Sequence, residues 1–336
     1  MVKVVCFGEV LLRLSSPGKE LVLQSPSFQA HVGGAETNVA VGLSKLGDPA
    51  AVVSVLPNNS LGQACAAEVR RHGVETSSVV YRDGRMGLYF LTHGAGHRPA
   101  EVLYDRAGSA FASAPADLID WSASLAGAQW LHVSGITPAV SHQGAQAALR
   151  AVRAASDAGI KISYDCNFRA RLWAERTQEA PAVLRELCTY ATLIFGDDRD
   201  IAFMLDFKPP GSAAERRRLA AQKAFDTFKN LQWIAHTERS QLAVDVQQLA
   251  GTLHDRNSTY TTKPYPLHGI VDRIGAGDAY AAGILHGLLH AMPPQQTVEF
   301  ATAAGVLKHS IPGDFNLIGI ADVELLLSEV QTDVRR

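Results

Sequence analysis

The sequence predicts an α/β protein in which a doubly wound, mostly parallel β-sheet is flanked by helices and accompanied by a small second β-sheet. Three observations predict this fold class. Short apolar runs alternate with helical patterns, several helical patterns end at a glycine, and two early segments lack helical periodicity. Parallel strands covered by helices on both faces have continuous apolar sequences. The length of 336 residues suits one large domain of this kind.

The predicted strands of the main sheet are short, apolar and rich in β-branched or aromatic residues, with turn residues close by. They are 2–7, 51–56, 130–133, 160–164, 193–195 and 233–235. Helices are predicted between and after them because apolar residues recur at helical spacing and glycines follow the last turns. They include 35–46, 143–158, 274–292, 297–309 and 321–330.

Two segments, roughly 11–32 and 84–106, break this alternation. Both contain short strand-like runs separated by turns, with no helix between them. We predict that they pair as a small β-sheet standing off the main sheet, where it can act as a lid. An extra edge of the main sheet is the alternative that periodicity leaves open.

The composition excludes several classes of function. Hydrophobic residues at 47% and charged residues at 19% are typical of a folded, water-soluble domain. The 31 basic and 33 acidic residues nearly cancel, so nucleic acid is not an expected partner. No run is long and uncharged enough to span a bilayer, and Glu9 interrupts the first apolar run too early for a secretory signal. A cytoplasmic protein without a membrane partner is therefore expected.

The cysteines predict no metal or redox site. Cys6, Cys65, Cys166 and Cys188 show no C-x-x-C spacing. In a reducing compartment, such residues are buried free thiols.

The glycine-rich segment 272–278 is the strongest local motif. Gly275, Ala276 and Gly277 precede a long apolar helix, and Asp278 falls in its first turn. The free N–H groups of a helix start favour a phosphate or a developing phosphoryl charge. An acid beside such a group has a use as a base that accepts a hydroxyl proton. A plain glycine turn with an acid favoured by the helix dipole explains the same residues, and this motif alone leaves both interpretations open.

A second glycine pair enters a helix near the start of the chain. Gly33 and Gly34 lie where the predicted lid returns to the core, and Asn38 follows one turn later. Open backbone and an amide suit the hydroxyl groups of a polyol, although a tight turn would need the same glycines.

Polar residues also follow two predicted strands, where ligands sit in open parallel sheets. Arg169 comes after strand 160–164 and can hold a carboxylate or phosphate. Asp197 and Asp200 come after strand 193–195; carboxylates can hold Mg²⁺, but an acidic helix start is an equal explanation.

Taken together, these motifs resemble the PfkB (ribokinase-like) family of carbohydrate kinases over nearly the whole chain, which implies a single ribokinase-like domain over 1–336. Within the family the chain is most similar to 2-keto-3-deoxygluconate kinases. The similarity rests on the stretches GEVLLRLS at 8–15, YDRAGSA at 104–110, HVSGITPA at 132–139, DCNFRARLW at 165–173, IVDRIGAGD at 270–278 and LKHSIPGDFN at 307–316.

The resemblance implies a role for each candidate residue. Asp278 would be the base, and Gly275, Ala276 and Gly277 would form the anion hole. The implied sugar-binding residues are Gly33, Gly34, Asn38, Tyr89, Tyr104, Arg106 and Arg169, with the two arginines on a sugar carboxylate. The implied nucleotide-binding residues are Asp197, Thr237, Arg239 and Gly305, and Asp197 and Asp200 are the implied metal ligands.

The implied activity is transfer of phosphate from ATP, with Mg²⁺, to 2-keto-3-deoxygluconate, giving 2-keto-3-deoxy-6-phosphogluconate. Two arginines facing one site favour a sugar acid, because a neutral sugar would leave buried positive charge unpaired. A kinase of a neutral ketose such as fructose, or of an isomeric keto-deoxy acid, is the main alternative. Pairing of lids between copies of the chain is implied by analogy, and activation by a monovalent cation is left open.

The chain departs from the family pattern at one place that bears on function. The acidic N-x-x-E motif of the family is replaced by Asp197-x-x-Asp200, with Arg199 between the two acids. A degenerate kinase that binds a sugar acid without turnover is the alternative that this change supports, whereas the intact segment 275–278 opposes it.

Overall fold

A computed structural model describes residues 2–243 and 246–328 of the chain. It contains two sheets with helices on both faces of the larger one. The strands are β1 (Val4–Phe7), β2 (Leu11–Ser15), β3 (Gln29–Gly33), β4 (Ala50–Pro57), β5 (Val79–Arg82), β6 (Gly87–Thr92), β7 (Glu101–Asp105), β8 (Trp130–Ser134), β9 (Lys161–Asp165), β10 (Leu193–Phe195), β11 (Trp233–Ala243), β12 (Val246–His254), β13 (Thr259–Thr261) and β14 (Tyr265–His268).

The helices alternate with the strands of the main sheet as predicted. They are α1 (Ala35–Lys45), α2 (Ser60–Arg71), α3 (Trp121–Ser124), α4 (Ile136–Val140), α5 (His142–Asp157), α6 (Ala170–Trp173), α7 (Ala180–Thr189), α8 (Asp198–Leu205), α9 (Ala213–Thr227), α10 (Ala276–Leu289), α11 (Pro294–Lys308) and α12 (Ile320–Leu327). Residues 329–330, the end of the last predicted helix, lie outside the described residues.

The main sheet confirms the predicted doubly wound arrangement. Its order is β13-β12-β11-β10-β9-β8-β1-β4-β5, and β14 also pairs with β12. All pairs from β11 to β5 are parallel, whereas β12 runs antiparallel to β11, β13 and β14. The predicted strand 233–235 was too short, because β11 continues to Ala243 and pairs with β12 in an antiparallel ladder. Alternating polar residues there conceal the strand from a search for apolar runs.

The two early segments pair as a separate four-stranded sheet, called the lid sheet below. Its order is β3-β2-β6-β7, with β2 and β6 parallel and the outer pairs antiparallel. The alternative of an extra edge on the main sheet is therefore wrong. Leu11, Tyr89 and Leu91 form a small buried cluster of their own on this sheet.

The core lies on both faces of the main sheet. One cluster packs β1, β8 and β9 against α5 and α7, and the other packs the opposite face against α1 and α10. All four cysteines are buried and free, as predicted. Among the described residues, no helix is both long enough and apolar enough to cross a bilayer.

A buried carboxylate ties two elements together at the amino-terminal edge of the main sheet. Asp48, just past α1, accepts hydrogen bonds of 2.7 Å from His286 Nδ1 and 2.8 Å from His290 Nε2 at the end of α10. Lys3 Nζ lies 3.9 Å from the same carboxylate. The end of α10 is thereby anchored, while its beginning faces the carboxyl ends of the strands.

Candidate active site

A cavity of about 720 Å³ opens at the carboxyl ends of β8–β11, between the main sheet and the lid sheet. Its lining comes from both sheets and from the starts of α1 and α10. In open α/β sheets, ligands bind at this edge. Most of the predicted site residues meet here. They are Gly34, Asn38, Tyr89, Tyr104, Arg106, Arg169, Asp197, Asp200, Thr237, Arg239, Gly275, Gly277 and Asp278.

The predicted base lies at the bottom of this cavity. Asn38 Nδ2 donates a hydrogen bond of 2.6 Å to Asp278 Oδ2, while Asn38 Oδ1 is buried and has no hydrogen-bond partner among the residues that the structure describes. Burial raises the pKa of Asp278 to about 7, which the hydrogen bond from Asn38 opposes and the charge of Asp314 reinforces. A carboxylate with a pKa near neutrality is suited to accept a proton from a hydroxyl group.

The predicted anion hole forms the start of α10. Gly275 has φ of +82°, and a Cβ there would lie 2.0 Å from the carbonyl oxygen of Asp314, so only glycine fits. Gly277 is exposed to the cavity, whereas Ala276 is buried behind it and contributes no lining. The free N–H groups of this helix start point to where an anion would bind.

The two glycines of the second pair, Gly33 and Gly34, have different positions relative to the cavity. Gly34 lines the cavity with φ of +137°, and a Cβ there would lie 2.3 Å from the carbonyl oxygen of Glu9. Gly33 is buried just outside the lining, and a Cβ on it would strike the Asp314 carboxylate at 2.2 Å. Gly33 therefore makes room for Asp314, a requirement that the turn alone did not reveal.

The lid sheet contributes two tyrosines and Arg106. Tyr89 donates a hydrogen bond of 2.6 Å from its hydroxyl to Asp314 Oδ2, and the ring of Tyr104 lies 6.4 Å away from that of Tyr89. Arg106 is 5% exposed and donates from Nε to Glu9 Oε2 over 2.7 Å. Its charge is thus balanced within the protein.

Arg169 differs from Arg106 in both exposure and pairing. It is exposed at the cavity mouth, and its Nη1 donates a hydrogen bond of 3.2 Å to the carbonyl of Phe168. It makes no salt bridge within the described residues. The argument that a neutral sugar would leave two buried arginines unpaired is therefore wrong, since Arg106 is paired with Glu9 and Arg169 is not buried.

Positive charge gathers at the other end of the cavity. Arg239 on β11 donates from Nη1 to Gln247 Oε1 over 2.7 Å, and Arg273 lines the cavity beside it. Burial and the charge of Arg273 lower the pKa of Arg239 to about 10, so a bound anion would relieve the repulsion between them. Thr237 lies on the same strand. The predicted Gly305 does not line the cavity, because it packs within α11 against the carbonyl of Ala276.

Comparison with known proteins identifies the family of this chain. The sequence pattern of the pfkB family of carbohydrate kinases matches residues 1–315 of this chain. The chain belongs to the PfkB family. A 2-dehydro-3-deoxygalactonokinase of Haloferax volcanii is 31% identical, covering 97% of this chain and 96% of the relative. The 2-dehydro-3-deoxygluconokinase of Bacillus subtilis is 26% identical over 93% and 91%.

A solved structure agrees with these relatives. The 2-dehydro-3-deoxygluconokinase of Thermotoga maritima has a TM-score of 0.92 at 37% identity, covering 98% of this chain and 100% of that one. The predicted ribokinase-like fold and the predicted class of enzyme, a phosphotransferase acting on an alcohol group, are both confirmed.

In this PfkB kinase, the acidic motif at β10 serves as a helix cap. Asp197 Oδ1 accepts from the backbone of Arg199 and Asp200, and Asp200 Oδ2 accepts from the backbone of Asp197 over 3.0 Å. The second oxygen of Asp197 is paired with the Arg199 side chain. A metal ion on these two carboxylates would have to compete with the cap and with Arg199.

Sequence reasoning assigned no role to Asp165, Arg273 or Asp314, three charged residues that line the cavity. Asp165 ends β9, and its carboxylate makes no hydrogen bond or ion pair among the described residues. Burial and then the charge of Asp278 raise its pKa to about 8. Asp314 belongs to the stretch 307–316, and burial raises its pKa to about 6 against the opposing effect of Arg13. The position of Asp165 at a strand end was the signal that could have identified it.

Proposed function

We propose that this PfkB kinase transfers the γ-phosphoryl group of ATP to the 6-hydroxyl of 2-keto-3-deoxygluconate (also called 2-dehydro-3-deoxygluconate). The observation that carries the proposal is the placement of Asp278, with its partner Asn38, directly after the glycine-lined helix start in one cavity. A base and an anion site side by side are what phosphoryl transfer to a hydroxyl requires.

In the proposed reaction, the sugar hydroxyl lies against Asp278, which accepts its proton as the oxygen attacks the γ-phosphorus. The bond from that phosphorus to the β-phosphate oxygen breaks, and ADP leaves with the electron pair. Asn38 holds the carboxylate in place through the 2.6 Å hydrogen bond, and its free Oδ1 can accept from a second sugar hydroxyl. The N–H groups at Gly275–Gly277 stabilise the charge on the transferring group. Phosphoryl transfer depends mainly on such positioning and charge stabilisation.

The nucleotide phosphates would extend toward Thr237, Arg239 and Arg273. Burial and the nearby charge of Arg273 lower the pKa of Arg239. The negative phosphates would offset the repulsion between the two guanidinium groups. The carboxylate of Asp197 faces the same end of the cavity but is held by the cap of α8.

The donor set at this junction fits Mg²⁺. Asp165 offers a carboxylate that makes no hydrogen bond or ion pair within the described part of the chain, and the ion prefers one or two carboxylates together with phosphate oxygens and water. Bound Mg²⁺ would neutralise phosphate charge. Asp165 would hold the ion, with Asp200 nearby. Burial and the charge of Asp197 raise the pKa of Asp200 to about 6, and a cation beside Asp200 would therefore stabilise its charged form.

The sugar acid would lie between the glycine pair and the lid sheet. Tyr104 and Arg106 cover this end of the cavity. Arg169, which makes no ion pair with any described residue, supplies the positive charge for the carboxylate. Guanidinium groups bind carboxylates through paired hydrogen bonds. The relatives of Thermotoga maritima and Bacillus subtilis, both named for 2-dehydro-3-deoxygluconate, support this substrate.

The relative of Haloferax volcanii supports a second candidate, the galactonate isomer of the same keto-deoxy acid. The two sugar acids differ only in the configuration at C4. Measured side by side, the isomer with the higher kcat/KM is the preferred substrate.

The role of Asp278 is tested by the substitution Asp278→Asn. We expect turnover to be lost while binding of the sugar acid, measured by calorimetry, is kept. Asn is close in size and keeps a hydrogen-bonding oxygen toward Asn38, but it cannot accept the proton. Retained turnover would remove Asp278 from the role of base, and binding without turnover in the unsubstituted chain would favour the degenerate kinase.

We also propose that the lid sheets pair between two copies of the chain. Leu103 on the outer strand β7 is 63% exposed, and an uncovered apolar side chain on a sheet edge suits such a contact. A monomer in multi-angle light scattering would refute this proposal without affecting the proposed chemistry.

A further inference from the structure

A charge cluster that the proposed chemistry does not use lies behind the anion hole. It consists of Arg13, Asp272, Lys308 and Asp314, which are between 0% and 3% exposed. Arg13 Nη2 donates to Asp272 Oδ2 over 2.6 Å, and Arg13 Nη1 lies 3.1 Å from Asp314 Oδ1. Two cations and two carboxylates leave the cluster neutral overall. Buried charges need such compensation.

Lys308 is the cation of the cluster whose side chain approaches the start of the anion hole. Its Cε lies 3.3 Å from the point that a Cβ on Gly275 would occupy, so the side chain runs directly beneath that glycine. The ammonium group donates to the carbonyl of Ile311 over 3.0 Å. A lysine that is 0% exposed with one hydrogen bond is costly unless nearby carboxylates offset its charge. Burial lowers the pKa of Lys308, and the charges of Asp272 and Asp314 offset part of that effect.

The rest of the cluster fixes the backbone of the same loop. Asp272 Oδ1 accepts from the N–H of Ile274 over 3.0 Å, and Asp272 Oδ2 accepts from the N–H of Gly313 over 3.1 Å. The segment that follows α11 is thereby clamped to the segment that precedes α10. Arg13 holds this clamp from the lid sheet through its ion pairs with both carboxylates, and the charge of Lys308 lies near the same two carboxylates.

We propose that Lys308 is a positioning residue for phosphoryl transfer, which holds the loop 272–277 and places a fixed positive charge beneath the anion hole. Preorganised charge of this kind stabilises the negative charge that develops during transfer. The effect falls on the transition state more than on the sugar, since Lys308 does not line the cavity. This inference rests on the proposed phosphoryl transfer at Gly275–Gly277.

The test is the substitution Lys308→Met, which keeps the length of the side chain and removes its charge. We expect kcat per folded molecule to fall by about 10- to 100-fold, with little change in the KM of the sugar. Lys308→Arg keeps the charge and should retain more of the activity. Lys45→Met, which removes a lysine from the last turn of α1 outside the cavity, is the control and should leave kcat unchanged.

The double variant Lys308→Met with Asp272→Asn separates positioning from plain structural support, with Asp272→Asn alone as its reference. The double variant restores neutrality, so its stability should recover relative to Lys308→Met while kcat stays low. Recovery of both, or a kcat for Lys308→Met within twofold of the parent, would overturn the proposal. Failure of both variants to fold would also overturn it, because the fold itself would then require Lys308. A parent protein that is inactive on every sugar would instead refute the proposed function.

Discussion

The hydrogen bond from Asn38 to Asp278 is the contact whose removal has the most specific expected effect. Asn38→Leu keeps the approximate volume of the side chain and removes the donor that lies 2.6 Å from Asp278 Oδ2. A hydrogen bond to a charged group contributes about 1.5–3 kcal/mol. Because one pKa unit corresponds to about 1.4 kcal/mol, losing the bond should raise the pKa of Asp278 by about one to two units.

The expected change in the pH dependence of kcat/KM follows from the pKa of Asp278 in the parent. With the pKa of Asp278 at about 7 in the parent, kcat/KM should rise with pH through an acid limb near neutrality. In Asn38→Leu this limb should move up by about one to two pH units, which lowers kcat/KM at pH 7 by about 5- to 50-fold.

The assay is ADP release at saturating ATP, measured from pH 5.5 to pH 9.5. Loss of a sugar contact alone would lower kcat/KM equally at every pH. Recovery toward the parent at high pH is therefore the decisive feature. An unmoved acid limb would refute the argument that Asn38 keeps Asp278 ionised.

Two further predictions concern charge. Arg169→Met should raise the KM of the sugar acid by about 10- to 100-fold at steady state. Arg171→Met, two residues away and outside the cavity, should leave that KM unchanged; equal effects of the two variants would contradict the carboxylate contact. Burial raises the pKa of Asp48, but the hydrogen bonds from His286 and His290 outweigh burial, so the pKa lies below its ordinary value of 3.8. Asp48 therefore stabilises the fold at higher pH, and this contribution is lost as the pH falls through the lowered pKa. Asp48→Asn should lower the free energy of unfolding in urea by about 1–3 kcal/mol at pH 7. The difference in this free energy between the parent and Asp48→Asn should narrow below about pH 4; a difference independent of pH would refute the ion pair.

The sequence predicted the elements that have a single dominant signal. Apolar runs located β1, β4, β8, β9 and β10 to within two residues, because both faces of those strands are buried. They gave only the first residues of β11 and missed β5. The lid sheet was found from its missing helices. The hairpin of β11 and β12 was not found, because its alternating polar residues lie at an edge of the sheet.

The site was predicted in part for a similar physical reason. Glycine pairs and the acid of a helix start are local patterns, so Gly34 and Asp278 could be placed from neighbouring residues. The partner of Arg106 could not, since Glu9 lies 97 positions away and meets it only through the fold. The cluster of Arg13 and Asp272 joins residues 259 positions apart. Such contacts depend on tertiary structure, and a single sequence does not reveal them.

The most direct test of the account measures ADP release with ATP, Mg²⁺ and 2-keto-3-deoxygluconate, beside fructose and a blank without sugar. We expect turnover with the sugar acid and none above the blank with fructose. Turnover with fructose alone would keep the base and the anion hole but contradict the role of Arg169 in binding a carboxylate. No ADP release above the blank with the sugar acid, its galactonate isomer or fructose would contradict the proposed function itself.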